Sequence, residues 1–302
     1  MRFWPRLILL ALATLAAARP ALLAAQSSPW TDSLLDRVRA LAGATRGERP
    51  RSVHMMRIWE SSGPLGSLVA MDDTTRVPTG YPVFQIRWRD RWIVVDAAVS
   101  PPAPGQARRY TFHQDRYDRL HAAMRDAERV ILTHEHTDHA GGILSGPFYE
   151  QVAERTLLTE EQARSLLEPP PYAVPRLSRD SAAIFPVLRY DLVFPLAPGV
   201  VLIKAPGHTP GAQYVYVQRA DGREILILAD LVWQSEGLER NLQRPEAASQ
   251  RLGEDRAAVQ VQLDWARGVA RRGDVAIVLS HDSRSLDALV ARGVLSSDFD
   301  LR

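Results

Sequence analysis

Apolar and polar positions along the chain fall into short runs whose periods predict alternating strands and helices. Leu34 to Ala42 has the spacing of a short amphipathic helix, whereas Val53 to Glu60, Ser67 to Met71 and Val83 to Ala98 show partial period-two alternation and predict strands. The last run carries a hairpin signal at Arg89-Asp90-Arg91 and ends on Asp96. A helix predicted from Phe112 to Ala127 feeds the apolar strand Val130 to Thr133, which delivers His134 at its carboxyl end. Thr159-Glu160-Glu161-Gln162 is a capping box that opens another helix, and Pro169, Pro170, Pro171 and Pro175 then exclude regular structure, as a connector or a lid. Strands return over Val200 to Lys204, Tyr214 to Arg219 and Glu224 to Ala229, the last two joined by an Asp221-Gly222 turn. A long helix from Pro245 to Arg272 and a strand from Val275 to Leu279 lead to His281. Two sheets with helices outside them, and no dinucleotide-type glycine fingerprint, predict an α/β fold of four layers, αββα.

The first residues change the picture of where the chain works. Arg2 and Arg6 make a basic start, Leu7 to Ala18 is apolar, and small residues run through Ala24 and Ala25. This pattern predicts a secretory signal peptide over residues 1–25 and one catalytic domain over 26–302, placed in the periplasm or secreted. No later apolar run approaches about 20 residues, so no membrane association is expected after cleavage. The chain has no cysteine, which excludes a disulfide, a thiolate metal ligand and anchoring through a lipidated cysteine. Its net charge of +2 also depends on the leader: losing Arg2, Arg6 and Arg19 leaves 34 basic against 35 acidic side chains, a net of −1. A nucleic-acid partner would want a strongly basic face; a small-molecule substrate fits this balance better.

The candidate chemistry is concentrated in His134-Glu135-His136-Thr137-Asp138-His139, followed by Ala140-Gly141-Gly142. On extended backbone His134 and His136 point the same way, and a turn after them brings Asp138 and His139 round to a second ion. Imidazoles with a carboxylate suit zinc. The spacing is not the helical H-E-x-x-H of zinc proteases, because Asp138 stands where the second histidine belongs. Three further candidates end predicted strands: His208 within Gly207-His208-Thr209-Pro210-Gly211, Asp230, and His281. Each alone is a weak signal, and their joint order gives it weight.

From about Val53 to Gly293 the chain resembles the metallo-β-lactamase superfamily, on the motif at His134 to His139 followed in order by Gly207-His208-Thr209, Asp230 and His281. Within it, Thr133-His134, Asp138-His139-Ala140-Gly141-Gly142, Ala205 to Gly211 and Ser280-His281-Asp282 are similar to the N-acyl homoserine lactonase-like branch. The resemblance implies an αββα sandwich holding two Zn2+ ions, with other divalent metals possible. His134, His136 and His208 would hold one ion, Asp138, His139 and His281 the other, and Asp230 would bridge them. Asp96 matches an acidic position ahead of the motif, with a structural or supporting role. The implied reaction is opening of a lactone, ester or amide by a metal-bridging hydroxide, with Asp230 and Asp138 as the catalytic carboxylates. The alternatives are a β-lactamase-type amide hydrolase, an iron-dependent sulfur dioxygenase or a phosphodiesterase on the same fold. One departure stands out: the lactonases carry a tyrosine three residues after the bridging aspartate, where this chain has Trp233, which is expected to wall the pocket for an acyl chain. Glu135, pointing away from its histidine neighbours, is expected in a salt bridge; His54, His113 and His121 match no motif position.

Overall fold

A computed structural model describes residues 28–101, 110–170 and 174–302, so the leader expected over residues 1–25 and part of the proline-rich connector lie outside the described residues. Helix α1 (Asp32–Ala44) buries Leu34, Leu35, Val38 and Ala42 as one apolar stripe. Strands β1 (Ser52–Pro64), β2 (Arg76–Arg87) and β3 (Trp92–Val95) pair antiparallel in succession, and β4 (Thr111–Phe112) pairs with β1. Helix α2 (Gln114–Asp126) crosses to β5 (Arg129–Ile131), which lies parallel to β3. The same side continues through α3 (Thr137–Ser145), α4 (Tyr149–Arg155), β6 (Thr156–Thr159), α5 (Glu160–Leu167), α6 (Arg179–Ala182) and β7 (Val187–Leu188). A second sheet is built from β8 (Val193–Ala197), β9 (Val200–Lys204), β10 (Gln213–Gln218) and β11 (Glu224–Ile227). After α7 (Ser235–Arg240), α8 (Glu246–Leu252) and α9 (Arg256–Arg272), β12 (Val275–Val278) closes it; α10 (Ser283–Ala291) then leads to β13 (Ser296–Ser297), which returns to pair with β1. Among the described residues the spatial orders are β13-β1-β2-β3-β5-β6-β7 and β12-β11-β10-β9-β8.

Alternation along the strands sorts side chains into three cores. Phe84, Ile86, Ile93 and Val95 of the first sheet face Val200, Leu202, Val215, Val217, Ile225 and Ile227 of the second. The intervening residues point outward: Val83, Val94 and Val130 pack on Leu120, Ala123 and Met124 of α2. Val201, Ile203, Tyr214, Tyr216 and Leu226 pack on α1 and on Val259, Leu263, Ala266 and Val269 of α9. Helix, sheet, sheet, helix is the four-layer arrangement expected.

Three local expectations need correction. Ser67 to Met71 is not a strand: Leu65–Ser67 is a 3-10 turn, and Ala70 donates its N–H to the carbonyl of Gln243 rather than to a ladder. The helix expected over Pro245 to Arg272 is two helices, because Gly253 takes the left-handed conformation (φ 69°) and ends α8 before Asp255 caps α9. Glu135 makes no ion pair among the described residues; its carboxylate accepts from Thr209 Oγ1 (2.8 Å) and Gly211 N (3.2 Å), pinning the loop that carries His208. The capping box at Thr159 is present as expected.

His121 is buried in the outer core of the first sheet, edge-on to Tyr117 at 4.4 Å, with neither ring nitrogen hydrogen-bonded. Burial pushes its pKa down to about 4. A depressed histidine pKa means that the unfolded chain binds the extra proton first, so the stability associated with neutral His121 is present above about pH 6.5 and is lost as pH falls toward 4. Between pH 7 and pH 5 this group alone should remove about 2 kcal/mol of unfolding free energy. Urea unfolding at both pH values should show that loss reduced by the same amount in His121→Leu; an identical pH dependence in the two proteins would refute it.

Candidate metal centre

The candidate ligands lie on segments that follow β5, β9, β11 and β12. The chain leaves β5 through Leu132 and Thr133, places His134 beside His136, and turns at once into α3, whose first turn carries Asp138 and His139. Of the paired glycines inside α3, Gly142 makes a close approach possible. A Cβ on Gly142 would lie 1.9 Å from the Ala97 carbonyl oxygen, so only glycine lets α3 press onto residues 96–98. His208 lies in the loop between β9 and β10, Asp230 follows β11, and His281 follows β12. Asp96, Ala98 and Ala229 all adopt left-handed backbone (φ 66°, 57° and 48°), so three non-glycine residues hold an uncommon conformation next to the site.

The side chains converge in two groups. His134 Nε2, His136 Nδ1 and His208 Nε2 form a triangle with edges of 3.1, 3.2 and 3.0 Å. Nitrogens bound 2.0–2.1 Å from a tetrahedral zinc stand about 3.3 Å apart, so the three are nearly in place to share one ion. Asp138, His139, Asp230 and His281 form the second group. His139 Nε2 lies 3.6 Å from Asp138 Oδ2 and 3.4 Å from Asp230 Oδ1, and His281 Nε2 lies 3.0 Å from Asp230 Oδ2. Asp230 Oδ2 is also 3.6 Å from His208 Nε2, so this carboxylate stands between the two groups. His139 Nε2 and Asp230 Oδ1 are buried without a hydrogen bond. Buried polar atoms left unpaired are costly, and a cation between them would satisfy both.

The far side of several imidazoles is held by an acceptor that leaves the other nitrogen facing the centre. His139 Nδ1 meets Asp96 Oδ2 at 2.9 Å, and Asp96 also accepts from the backbone N–H and hydroxyl of Thr133 (2.7 and 2.9 Å). His281 Nδ1 donates to the Gly80 carbonyl at 2.8 Å. His208 Nδ1 is bonded to Glu254, which in turn accepts from Arg244, whose guanidinium also donates to the backbone carbonyl of Asp230. Such partners fix the tautomer that a metal ligand needs.

The electrostatics divide the two groups. Burial, reinforced by the neighbouring imidazoles, holds His134 and His136 well below the usual histidine pKa, so both present neutral lone pairs. Burial also opposes charge on His139 and His281, but it is outweighed, by Asp96, Asp138 and Asp230 for His139 and by Asp230 for His281, and both are raised. Burial works against ionised Asp230 too, yet His281 and His139 hold it well below the carboxylate range. Asp96, Asp138, Asp230 and Glu254 converge on the ligand imidazoles, so cations bound in place of the His139 and His281 protons would meet carboxylates already in position.

The centre opens into a cavity of about 350 Å³ lined by Leu68, Tyr81, Val99, Trp233 and Leu252 around the ligand side chains. Trp233 lines it as anticipated, but its indole N–H is committed to Asp230 Oδ2 at 2.8 Å, with the Arg244 guanidinium 4.5 Å from its ring. A larger hollow by the C-terminal residues, bounded by His54, Arg119 and Asp298, contains none of these ligand side chains.

All seven residues expected as ligands are therefore brought together. Arg244, Glu254 and Tyr81 were not anticipated. Glu254 was hidden inside the helix expected to run unbroken to Arg272, and the only available signal was Gly253 as a helix terminator. Tyr81 follows Gly80 and precedes Pro82, residues that read as the end of a strand rather than its interior.

Comparison with known proteins agrees with this geometry. The model of the metallo-beta-lactamase superfamily matches residues 83–281, and the chain belongs to that superfamily. An N-acyl homoserine lactonase of Bacillus thuringiensis is 30% identical over 115 residues, a stretch covering 36% of this chain and 40% of that lactonase. A crystal structure of a quorum-quenching N-acyl homoserine lactone lactonase superposes with a TM-score of 0.63 at 14% identity, covering 80% of this chain and 97% of the other. A lactone hydrolase with N-hexanoyl-L-homoserine bound at its catalytic metal centre gives 0.61 at 13% identity, covering 80% and 96%. At those identities the structural matches establish the fold.

Proposed function

We propose that this protein is a dinuclear metal-dependent hydrolase that opens a lactone, or a related ester or amide, of a small neutral molecule. The observation carrying this reading is the pair of ligand groups with the Asp230 carboxylate between them, at the floor of an apolar-walled cavity. His134, His136 and His208 would hold one ion, and Asp138, His139 and His281 the other, with Asp230 shared. Zinc fits the nitrogen-rich donor set. Two such ions supply Lewis acidity and a water acidic enough to be a nucleophile near neutral pH.

The chain's own residues do the rest. Asp138 is about a quarter exposed on the cavity side, where it can orient the attacking water or take its proton, while Asp230 is almost fully buried. Leu68, Val99, Leu252 and the Trp233 ring exclude water and receive an apolar arm of the substrate. Among the described residues, the lining includes no lysine or arginine that would pair with a phosphodiester. The lactonase likeness supports a cyclic ester first.

Purified protein should contain close to two equivalents of a divalent transition metal and hydrolyse members of a panel of lactones, esters, β-lactams and phosphodiesters, the lactones fastest. Chelation should abolish turnover and zinc should restore it. His208→Ala should lose about one equivalent while keeping a folded circular dichroism spectrum. A protein that binds no transition metal on reconstitution and works in chelator would overturn the proposal.

A further inference from the structure

Attack on a carbonyl drives negative charge onto the carbonyl oxygen, and a hydrogen-bond donor aimed at that oxygen adds to whatever Lewis acidity bound metal supplies. Among the polar groups lining the cavity, Asp138 and Asp230 are acceptors and His136 and His281 are ligand imidazoles. The indole N–H of Trp233 is held by Asp230 Oδ2. Tyr81 remains. It projects from β2 into the cavity, and its hydroxyl makes no hydrogen bond to the described residues.

The ring is also well fixed. It packs edge-on to His281, with centroids 5.2 Å apart and planes at 89°. The preceding residue, Gly80, accepts the hydrogen bond from His281 Nδ1, so one short piece of β2 locates both the Tyr81 ring and the imidazole it touches. The strand is anchored in turn by pairing of Tyr81 with Trp59 and of Gly80 with Glu60. A Cβ at position 80 would come within 2.8 Å of Arg57 Cδ and 3.2 Å of the Trp59 carbonyl oxygen, which keeps this approach close. A donor whose ring is fixed by its strand and by His281 has little freedom left to lose when a substrate arrives.

We infer that Tyr81 is a catalytic residue of the proposed hydrolysis, donating its O–H to the substrate oxygen that becomes negative. The step balances with water alone: the water oxygen bonds to the carbonyl carbon, the C=O π pair moves onto oxygen, and Tyr81 stabilises that oxygen without releasing its proton. On collapse the acyl C–O bond breaks and the leaving oxygen takes up the proton that water gave. This assignment rests on the reading of the protein as a hydrolase of carbonyl substrates.

The test is Tyr81→Phe, which removes one oxygen and keeps the ring on His281. Metal content and melting temperature should be unchanged, kcat for the best lactone should fall by about 10²-fold, and KM should stay within about threefold. Binding of a phosphonate analogue of the tetrahedral intermediate, measured by calorimetry, should weaken by a similar factor, whereas binding of the ring-opened product should change little. Tyr81→Leu removes the hydroxyl with a different apolar side chain, so a folded form of either variant is sufficient. A wild type active on lactones whose folded variant keeps kcat within twofold overturns the Tyr81 assignment alone. A wild type inactive on every carbonyl substrate overturns the hydrolase reading and the assignment with it.

Discussion

Asp230→Asn should lower the rate of the chemical step by about three orders of magnitude or more, and the purified variant should hold less than two equivalents of metal. The substitution keeps the shape of the side chain and an oxygen for the Trp233 N–H, so packing is retained while the charge is removed. What is lost is the only carboxylate among the described residues that lies within 3.6 Å of ligand nitrogens in both groups, His208 on one side and His139 and His281 on the other. Without that charge, repulsion between two dications is no longer offset and the second group loses half of its carboxylates. A loss of this size corresponds to about 4 kcal/mol of transition-state stabilisation. Elemental analysis and single-turnover kinetics on the same sample decide the matter. Full metal loading with undiminished turnover would show that Asp230 is not shared between ions.

The parts of this arrangement legible in the sequence are those where local pattern and chemistry coincide. His134 to His139 could be read because spacing within six residues fixes which side chains share a face. His208, Asp230 and His281 could be read because they follow predicted strands in the order that the family resemblance implies, although each alone is a weak signal. The layers followed from period two: Val215 and Val217 face one way and Tyr214 and Tyr216 the other, as the two cores require. What stayed hidden depends on contacts distant in sequence or on single backbone conformations. Tyr81 lies between Gly80 and Pro82, which read as strand breakers, yet β2 runs through both because β1 accommodates them with a register shift between Arg57 and Trp59. Val69 looked like part of a strand and is instead buried with Leu65 and Val77 in a small separate cluster. The salt bridge assigned to Glu135 was wrong in partner: an acidic side chain pointing into the fold found a hydroxyl and a backbone N–H, which its position in the motif does not reveal.

Arg244 carries the second large effect, and it separates stability from site geometry. Its side chain is 1% exposed and Glu254's is not exposed at all, so neither charge can be rehydrated if the other is removed. Arg244→Met should therefore cost about 3–5 kcal/mol of unfolding free energy, because a buried carboxylate is left without its cationic guanidinium partner and with His208 alone. Burial alone pushes Glu254 up; His208 and Arg244 together hold it below the usual range, and the variant deletes one of those two supports. Replacing both residues, as in Arg244→Met with Glu254→Leu, should recover much of the stability, since the apolar pair buries no charge. It should not recover metal affinity at the first group. His208 Nδ1 then has no acceptor, its ring is no longer held with Nε2 toward His134 and His136, and zinc should bind 10–100-fold more weakly there. Urea unfolding of the metal-free proteins measures the first effect and competitive zinc titration the second. If Arg244→Met costs under about 1 kcal/mol, the pair is not a stabilising ion pair; if the double variant regains both stability and affinity, Glu254 has no part in orienting His208.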